Sequence, residues 1–402
     1  AAARYAPGDA ASFISALVRV LSRGRTTLPV GAERFEEYEA DARAVAAALR
    51  DSERVVIVWG ERIAHGPVGE QALEALLDLA GRLKLTTVEG AGLLEVPEST
   101  NARGLREVGC APGVGPGLEK SKRGKDLAGI RDALAKGDLD AIVLWDVDPV
   151  REFADSEAWR RALKKAKLVV SVSMFKHESS GFADVHLPAE SHAEKAGTVT
   201  HPDGRLQRLR PGVPHRGEIR PLWQAQLDLL DRLGARSGFQ SAPDVLAAIA
   251  DEVSIYEGIT AEEIGGTGVR WQQRPAAANL TAPGKRESAA KSRRSPARSG
   301  VRAGKIPLGG RTDLWASEAT ERNSALRYLA PPQTLELAPD DAEKLGVGHG
   351  DRVDVASNGT SVAARVAIRQ RLRPGAAFLI EGTRKDNANA VLTGQTVEVR
   401  PK

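Results

Sequence analysis

Apolar residues recur along this chain with two periods. Helical spacing at Phe13, Ile14, Leu17, Val18 and Leu21 predicts a first helix behind Gly8, with Asp9 or Ser12 as its cap. A second helix is expected over residues 34–49. A third is expected over 68–83, with Leu73, Leu76, Leu77, Ala80 and Leu83 on one stripe. Between them, residues 54–59 (RVVIVW) form a continuous apolar run of the kind buried on both faces of a parallel sheet, and Gly60-Glu61-Arg62 leaves its carboxyl end. Strand, glycine turn and helix make a βα unit. The arrangement repeats with strands at 141–145 and 168–173 around a helix at 156–167 started by Asp155 or Ser156. The expected fold class is therefore α/β, with a mostly parallel, helix-covered sheet. Further helices are expected at 220–233, at 242–251 behind Ser241, and just after Thr260.

The pattern lapses between residues 265 and 310 into Gly, Pro, Ser, Ala and Arg, which reads as a linker or long surface loop open to proteolysis between Gly284 and Lys305. Beyond it, short strands are expected at 334–337, 352–356, 361–368, 376–380 and 396–399. One helix at 339–345 is closed by Gly346, and an Asn358-Gly359 hairpin turn joins two of the strands. The domains expected are thus 1–264 (α/β), 265–310 (linker) and 311–402 (a small β-barrel).

Composition narrows the function classes. The chain has 402 residues, enough for more than one core. It shows no run of ~18 apolar residues and no charged-then-apolar amino terminus, so neither a spanning helix nor an export signal is expected. Its opening, Ala-Ala-Ala-Arg without Met, is expected of a fragment or a processed chain. Cys110 is the only cysteine, which excludes an internal disulfide, a CxxC pair and an iron–sulfur cluster held by this chain alone. The net charge of +4 is local: residues 284–305 hold eight Lys or Arg and one Glu, a +7 that leaves −3 for everything else. No aromatics interleave that basic segment, so nucleic acid is not expected as a partner.

The stretch 182–207, FADVHLPAESHAEKAGTVTHPDGRLQ, is the least generic. Glu190, His192 and Glu194 alternate, so an extended backbone would put them on one face, as a metal or acid–base site or as a solvated polar loop. A Pro202-Asp203-Gly204 turn follows. GVGPGL (113–118) is interrupted by Pro116 and is no dinucleotide fingerprint. GLEKSKRGKD has the wrong spacing for a P-loop, and no GxSxG elbow occurs.

AD-V-H-LPA, E-K-A-G-T and DGR-x-Q, in that order, resemble the signature of the molybdopterin oxidoreductase superfamily (ADvvLPa, then E-GT-N-EGR-Q), with His201 in place of Asn and Asp203 in place of Glu. Gly8-Asp9 with the first helix, Asn101-Ala102-Arg103-Gly104 with Gly109 and Pro112, and LAPDDAEKLGVGHGD with Asn389-Ala390-Val391-Leu392-Thr393 extend the resemblance over nearly the whole chain. It implies the carboxyl-terminal half of such a protein, its barrel being a dinucleotide-binding-like, double-psi-like module. It also implies a pterin-like pocket at Gly60, Arg62, His65, Asn101, Arg103, Gly104, Asp148, His177 and Asn389, with no catalytic residue and no metal ligand in this part. Asp148 stands where the family has Asn in G-x-NP, and His177-Glu178-Ser179 where it has T-E-T. A carboxylate facing pyrophosphate is repulsive, so the crevice is expected to be closed by its own side chains.

Within the superfamily, the shortened α/β region is most similar to the large iron–sulfur subunit of the proton-pumping NADH:quinone oxidoreductase, respiratory complex I. That likeness implies a mainly scaffolding chain, not catalytic alone, with iron–sulfur clusters in the rest of the protein. It implies peripheral-arm subunits as partners, NADH and quinone as substrates of the complex, and a peripheral place on the cytoplasmic face of the membrane through those partners. The alternative is part of a molybdenum bis-pterin enzyme of formate dehydrogenase or nitrate reductase type, and only then is molybdopterin guanine dinucleotide a cofactor.

Overall fold

A computed structural model describes residues 3–6, 8–22, 34–50, 52–65, 69–122, 124–235, 237–280, 301, 304–393 and 396–402. The basic stretch expected to be cut by proteases lies almost wholly outside these. The chain forms two compact units. One comprises residues 1–105 with 200–205 and 270–298, and the other 106–199, 206–269 and 299–402.

In the first unit α1 (Ala10–Leu21), α2 (Glu39–Arg50) and α3 (Gly69–Arg82) pack with β1 (Val56–Gly60), which pairs in parallel with β2 (Gly92–Val96). Ile14, Leu17, Tyr38, Ala46, Leu76 and Leu79 form its core, and Ile57 and Trp59 pack against them. Three expectations change here. Asp9 caps nothing with its side chain; it is 1% exposed and accepts instead from Tyr38 Oη at 2.5 Å and Arg34 at 2.7 Å. β1 is covered on one face only: Val56 and Val58 are 56% and 59% exposed, because the described helices pack on the side of Ile57 and Trp59. In α3 the buried stripe runs through Ala72, Ala75, Leu76, Leu79 and Ala80, leaving Leu77 exposed. β2 and the short α4 (Ala102–Glu107) were not expected.

The second unit opens with the glycine-rich loop and α5 (Leu127–Lys136), capped by Asp126. Gly109 sits at φ +91°, and a Cβ there would lie 2.7 Å from the Gly115 backbone, so the loop needs glycine where two strands of backbone meet. β3 (Ala141–Trp145), β4 (Leu168–Ser173) and β5 (Val185–Pro188) form a parallel sheet in that order, Leu144 opposite Ser171 and Ser171 opposite His186. α6 (Pro149–Glu152) follows β3, and α7 (Ser156–Lys165) is capped by Asp155, a left-handed residue at φ 62°. Leu144, Val150, Trp159, Leu163 and Val169 form the core between sheet and helices. β6 (Gly197–Thr200) and β7 (Arg205–Leu209) flank the Pro202-Asp203-Gly204 turn. α8 (Leu222–Arg232) buries no residue. α9 (Ala242–Glu252) has a reciprocal Ser241–Asp244 capping box, and α10 (Ala261–Ile264) is capped by Thr260.

Residues 265–280, assigned to the linker, are ordered into β8 (Val269–Arg270) and two short turns, with Trp271 only 4% exposed. The barrel likewise begins inside the expected linker, at β9 (Lys305–Arg311). After α11 (Glu318–Arg322) come β10 (Thr334–Leu337), α12 (Pro339–Leu345), β11 (Arg352–Ser357), β12 (Thr360–Ile368), β13 (Ala377–Ile380) and β14 (Thr396–Pro401). They close in the order β10-β12-β11-β14-β9-β13, with β10–β12 and β9–β13 parallel and the other pairs antiparallel. Ile306, Leu335, Leu337, Val353, Leu379 and Val397 fill the barrel. Gly346 ends α12 at φ 68°, as expected. Pro307, Gly309 and Gly310 disguised β9, yet glycine is what fits there: a Cβ on Gly309 would lie 2.7 Å from the Phe378 ring.

Candidate functional site

The nine residues of the expected pocket fall in both units. In the first unit, Gly60 ends β1, with Arg62 and His65 in the turn that follows. Arg62 pairs with Glu98, which follows β2, and His65 lies 3.6 Å from Glu98 and 3.8 Å from Glu61; Glu61 accepts from the Glu98 N–H at 2.9 Å. The carboxyl ends of β1 and β2 are thus tied by a half-exposed charge cluster. Glu98, which sequence reasoning missed, follows the unforeseen β2.

Asn101, Arg103 and Gly104 hold the 200–205 turn. Asn101 is left-handed (φ 63°), and its Oδ1 accepts from Thr200 N at 2.8 Å. Arg103 donates to the Pro202 carbonyl and lies 5.7 Å from the Trp271 ring centre. A Cβ on Gly104 would come within 2.2 Å of Asn101 Oδ1. Across this turn His201 Nδ1 stands 2.9 Å from Asp203 Oδ1, and Arg270 binds the other Asp203 oxygen. Desolvation acts to raise the Asp203 carboxyl, but hydrogen bonds from His201, Arg270 and Arg205 N outweigh it and hold the group at about 2.

In the second unit, Asp148, His177 and Asn389 come together at the carboxyl ends of β3 and β4. Asp148, 3% exposed, accepts through Oδ1 from Ser179 N (3.2 Å), Arg151 N (3.4 Å) and Ser179 Oγ, and through Oδ2 from Glu178 N at 3.2 Å. The His177 side chain is 4% exposed, with Nδ1 3.5 Å from Asp148 Oδ2. That Nδ1 accepts from Ser180 N at 3.2 Å, and Nε2 is buried without a hydrogen-bond partner among the described residues. Nearby, His186 is pushed down first by burial, with the Lys176 charge adding to it. Glu152, accepting from Asp148 N at 2.9 Å, is pushed up by burial.

Asn389 and Asn387 both donate through Nδ2 to the Arg151 carbonyl, at 2.7 and 2.8 Å. Arg151 in turn pairs with Glu321 at 2.9 Å, both side chains nearly buried. Asn387 belongs to the segment 387–393 expected to cover the crevice, whereas Arg151 and Glu321 were not among the expected site residues; adjacency to Asp148-Pro149 was the only signal for Arg151. The crevice is not filled here. A cleft of about 510 Å³ remains, lined by Asp148, His177, Arg160, Arg322, Ser361 and Asn387 among others. Ion pairs hold its charged walls in place: Arg160 with Glu157 and Glu178, and Arg322 with Glu318.

The Glu190, His192, Glu194 triplet does not converge. The segment is turned rather than extended, and His192 is exposed. Glu190, 3% exposed, accepts from Leu222 N at 3.2 Å and pairs with His215 Nε2 at 3.0 Å. Glu194 accepts from Ser191 N at 2.7 Å, and the hydrogen bonds of Ser191 hold its carboxyl below the usual range. Among the described residues no group of three or more His, Cys, Asp or Glu could hold a metal ion.

Two families match this chain: Molybdopterin oxidoreductase over residues 36–232 and Molydopterin dinucleotide binding domain over 309–400. Among curated relatives, the NADPH-Fe(3+) oxidoreductase subunit alpha of Geobacter sulfurreducens is 31% identical over 88% of this chain and 42% of that protein. One of the NADH-quinone oxidoreductase subunits of Rhizobium meliloti is 26% identical over 86% of this chain and 42% of its own length. The putative formate dehydrogenase YrhE of Bacillus subtilis is 22% identical over 89% and 40%. The chain therefore spans less than half the length of these relatives. Among solved structures, acetylene hydratase from Pelobacter acetylenicus superposes with a TM-score of 0.68 at 13% identity, covering 98% of this chain and 70% of that one.

Proposed function

This chain belongs to the molybdopterin oxidoreductase family, with an α/β part and a closed barrel, and from that premise we propose that it is part of the large subunit of an NAD(P)H-linked oxidoreductase complex of the complex I type. It supplies framework there, and the electron-carrying clusters are held by the rest of the protein. The observation that carries this reading is the ranking of relatives. The two NAD(P)H-linked proteins are 31% and 26% identical over nearly the whole chain, against 22% and 24% for two formate dehydrogenases of similar coverage. A single cysteine supports it, since a cluster takes several thiolates. The partners are the neighbouring subunits of the peripheral arm, NADH and quinone are substrates of the assembly, and any membrane contact runs through those subunits.

A pterin dinucleotide brings a diphosphate, which requires unspent N–H donors. At the Asp148 corner of the crevice those donors already serve a carboxylate, so the residues there do not fit that group. Formate dehydrogenase is the second reading, favoured by the barrel's match to a dinucleotide-binding domain. Purification of the full-length protein from its native source tests both. Iron with NAD(P)H-oxidising partner subunits and no molybdenum or tungsten is expected. Stoichiometric molybdenum or tungsten with formate-dependent dye reduction would replace the first reading by the second.

A further inference from the structure

The loop leaving β4 presents the N–H groups of Glu178 and Ser179 and the Ser179 hydroxyl, and α6 presents the N–H of Arg151, all toward one point on the wall of the cleft. Convergent donors of this kind suit an anion. Here the point is occupied from within by the two oxygens of Asp148, at 3% exposure. Beside it His177, with a 4% exposed side chain, lines the same cleft and keeps a buried Nε2 without a partner among the described residues.

We infer that Asp148 is an internal counter-anion: its carboxylate takes the place a phosphate group would hold, and so closes this cradle to phosphorylated ligands. A diphosphate arriving there meets donors already spent and a like charge with no room to move, since Asp148 is tied at once to α6 and to the loop leaving β4. The inference deepens the reading above, resting on family membership for the expectation of a phosphorylated ligand. It concerns this chain's own residues whichever complex the protein joins.

The test is titration of the 402-residue chain with inorganic pyrophosphate, read by calorimetry and by thermal shift, for wild type, Asp148→Asn and Asp148→Gly. All three carry the basic stretch near residue 290, so weak binding there cancels in the comparison. Asp148→Gly empties the cradle and is expected to gain a saturable site at least about tenfold tighter than any in wild type. Its Tm should rise with pyrophosphate. Asp148→Asn, which restores the amide that the family resemblance calls for, is expected to fall between the two. Should Asp148→Gly fail to fold in plain buffer, folding restored by pyrophosphate supports the inference, and Asp148→Asn decides the affinity comparison. Wild type binding pyrophosphate as tightly as Asp148→Gly would overturn it. So would folded variants that bind no better than wild type, or variants that stay unfolded whatever anion is added. None of these outcomes touches the metal content of the native protein, so the assignment to an oxidoreductase complex stands or falls separately.

Discussion

Asp9 shows how a residue's role is set by what it meets rather than by its neighbours in sequence. Its position before α1 fits a cap, but a buried tyrosine hydroxyl and a largely buried guanidinium reach it first. Removing one partner of such a group leaves the other buried and uncompensated. Asp9→Ala is therefore expected to cost about 3–5 kcal/mol in the first unit's unfolding, and Tyr38→Phe about 1 kcal/mol. Urea titration followed by Trp59, which packs in that core, measures both, and equal effects for the two variants would contradict the assignment. Asp203 bears on pH. Its folded value, about 2, lies below the ordinary carboxyl range, so its stabilisation is full above the unfolded value of about 3.9 and is lost as pH falls from there toward 2. A quarter of the side chain is exposed, so solvent screening reduces the effect to about 1 kcal/mol. Asp203→Asn should flatten stability between pH 4 and 2, and an unchanged pH profile in that variant would show that the His201 and Arg270 contacts contribute nothing.

At the scale of elements, glycine marks both what the pattern showed and what it hid. The loop after α4 has the composition of a flexible connection, yet Gly109 holds a left-handed conformation against the Gly115 backbone. Gly109→Ala meets both a strained φ and a backbone clash, so a loss of more than about 2 kcal/mol is expected. In β9, Gly309→Ala runs into the Phe378 ring, whereas Gly310→Ala meets the flexible end of Glu381. The first should cost about 1–3 kcal/mol and the second less than 1 kcal/mol. Thermal unfolding of the two variants checks the order, and a reversed order would argue against the β9–β13 register.

For the whole molecule, the fold is that of a redox enzyme family while the one cysteine leaves this chain without the thiols for a cluster. The 402-residue chain alone is expected to show no NADH, NADPH or formate oxidation and less than about a tenth of an iron per chain after purification, because electrons need closely spaced centres that several thiolates hold. Stoichiometric iron, or turnover with a dye acceptor, would refute this.

Much of the fold was legible because it rests on local periodicity. The helices near residues 10–21, 69–82 and 156–165 have one-sided apolar stripes, β3 and β4 are apolar runs between loops, and Asn358-Gly359 and Gly346 carry turn chemistry of their own. The ordered motifs around residues 184–207 and 336–393 identified the family for the same reason: they are strings of neighbouring residues. What lay beyond the sequence depends on pairs distant along the chain. β9 is a strand only because β13 and β14 supply its partners; alone it reads as proline and glycine. The open face of β1 could not be told from a buried one, since an apolar run looks the same whether or not anything packs on it. Asp148 read as a charge that repels phosphate, but whether it would stand exposed or be spent on its own fold was decided by Glu178 and Ser179, some thirty residues away, whose N–H groups the β3–β4 pairing brings within hydrogen-bond reach.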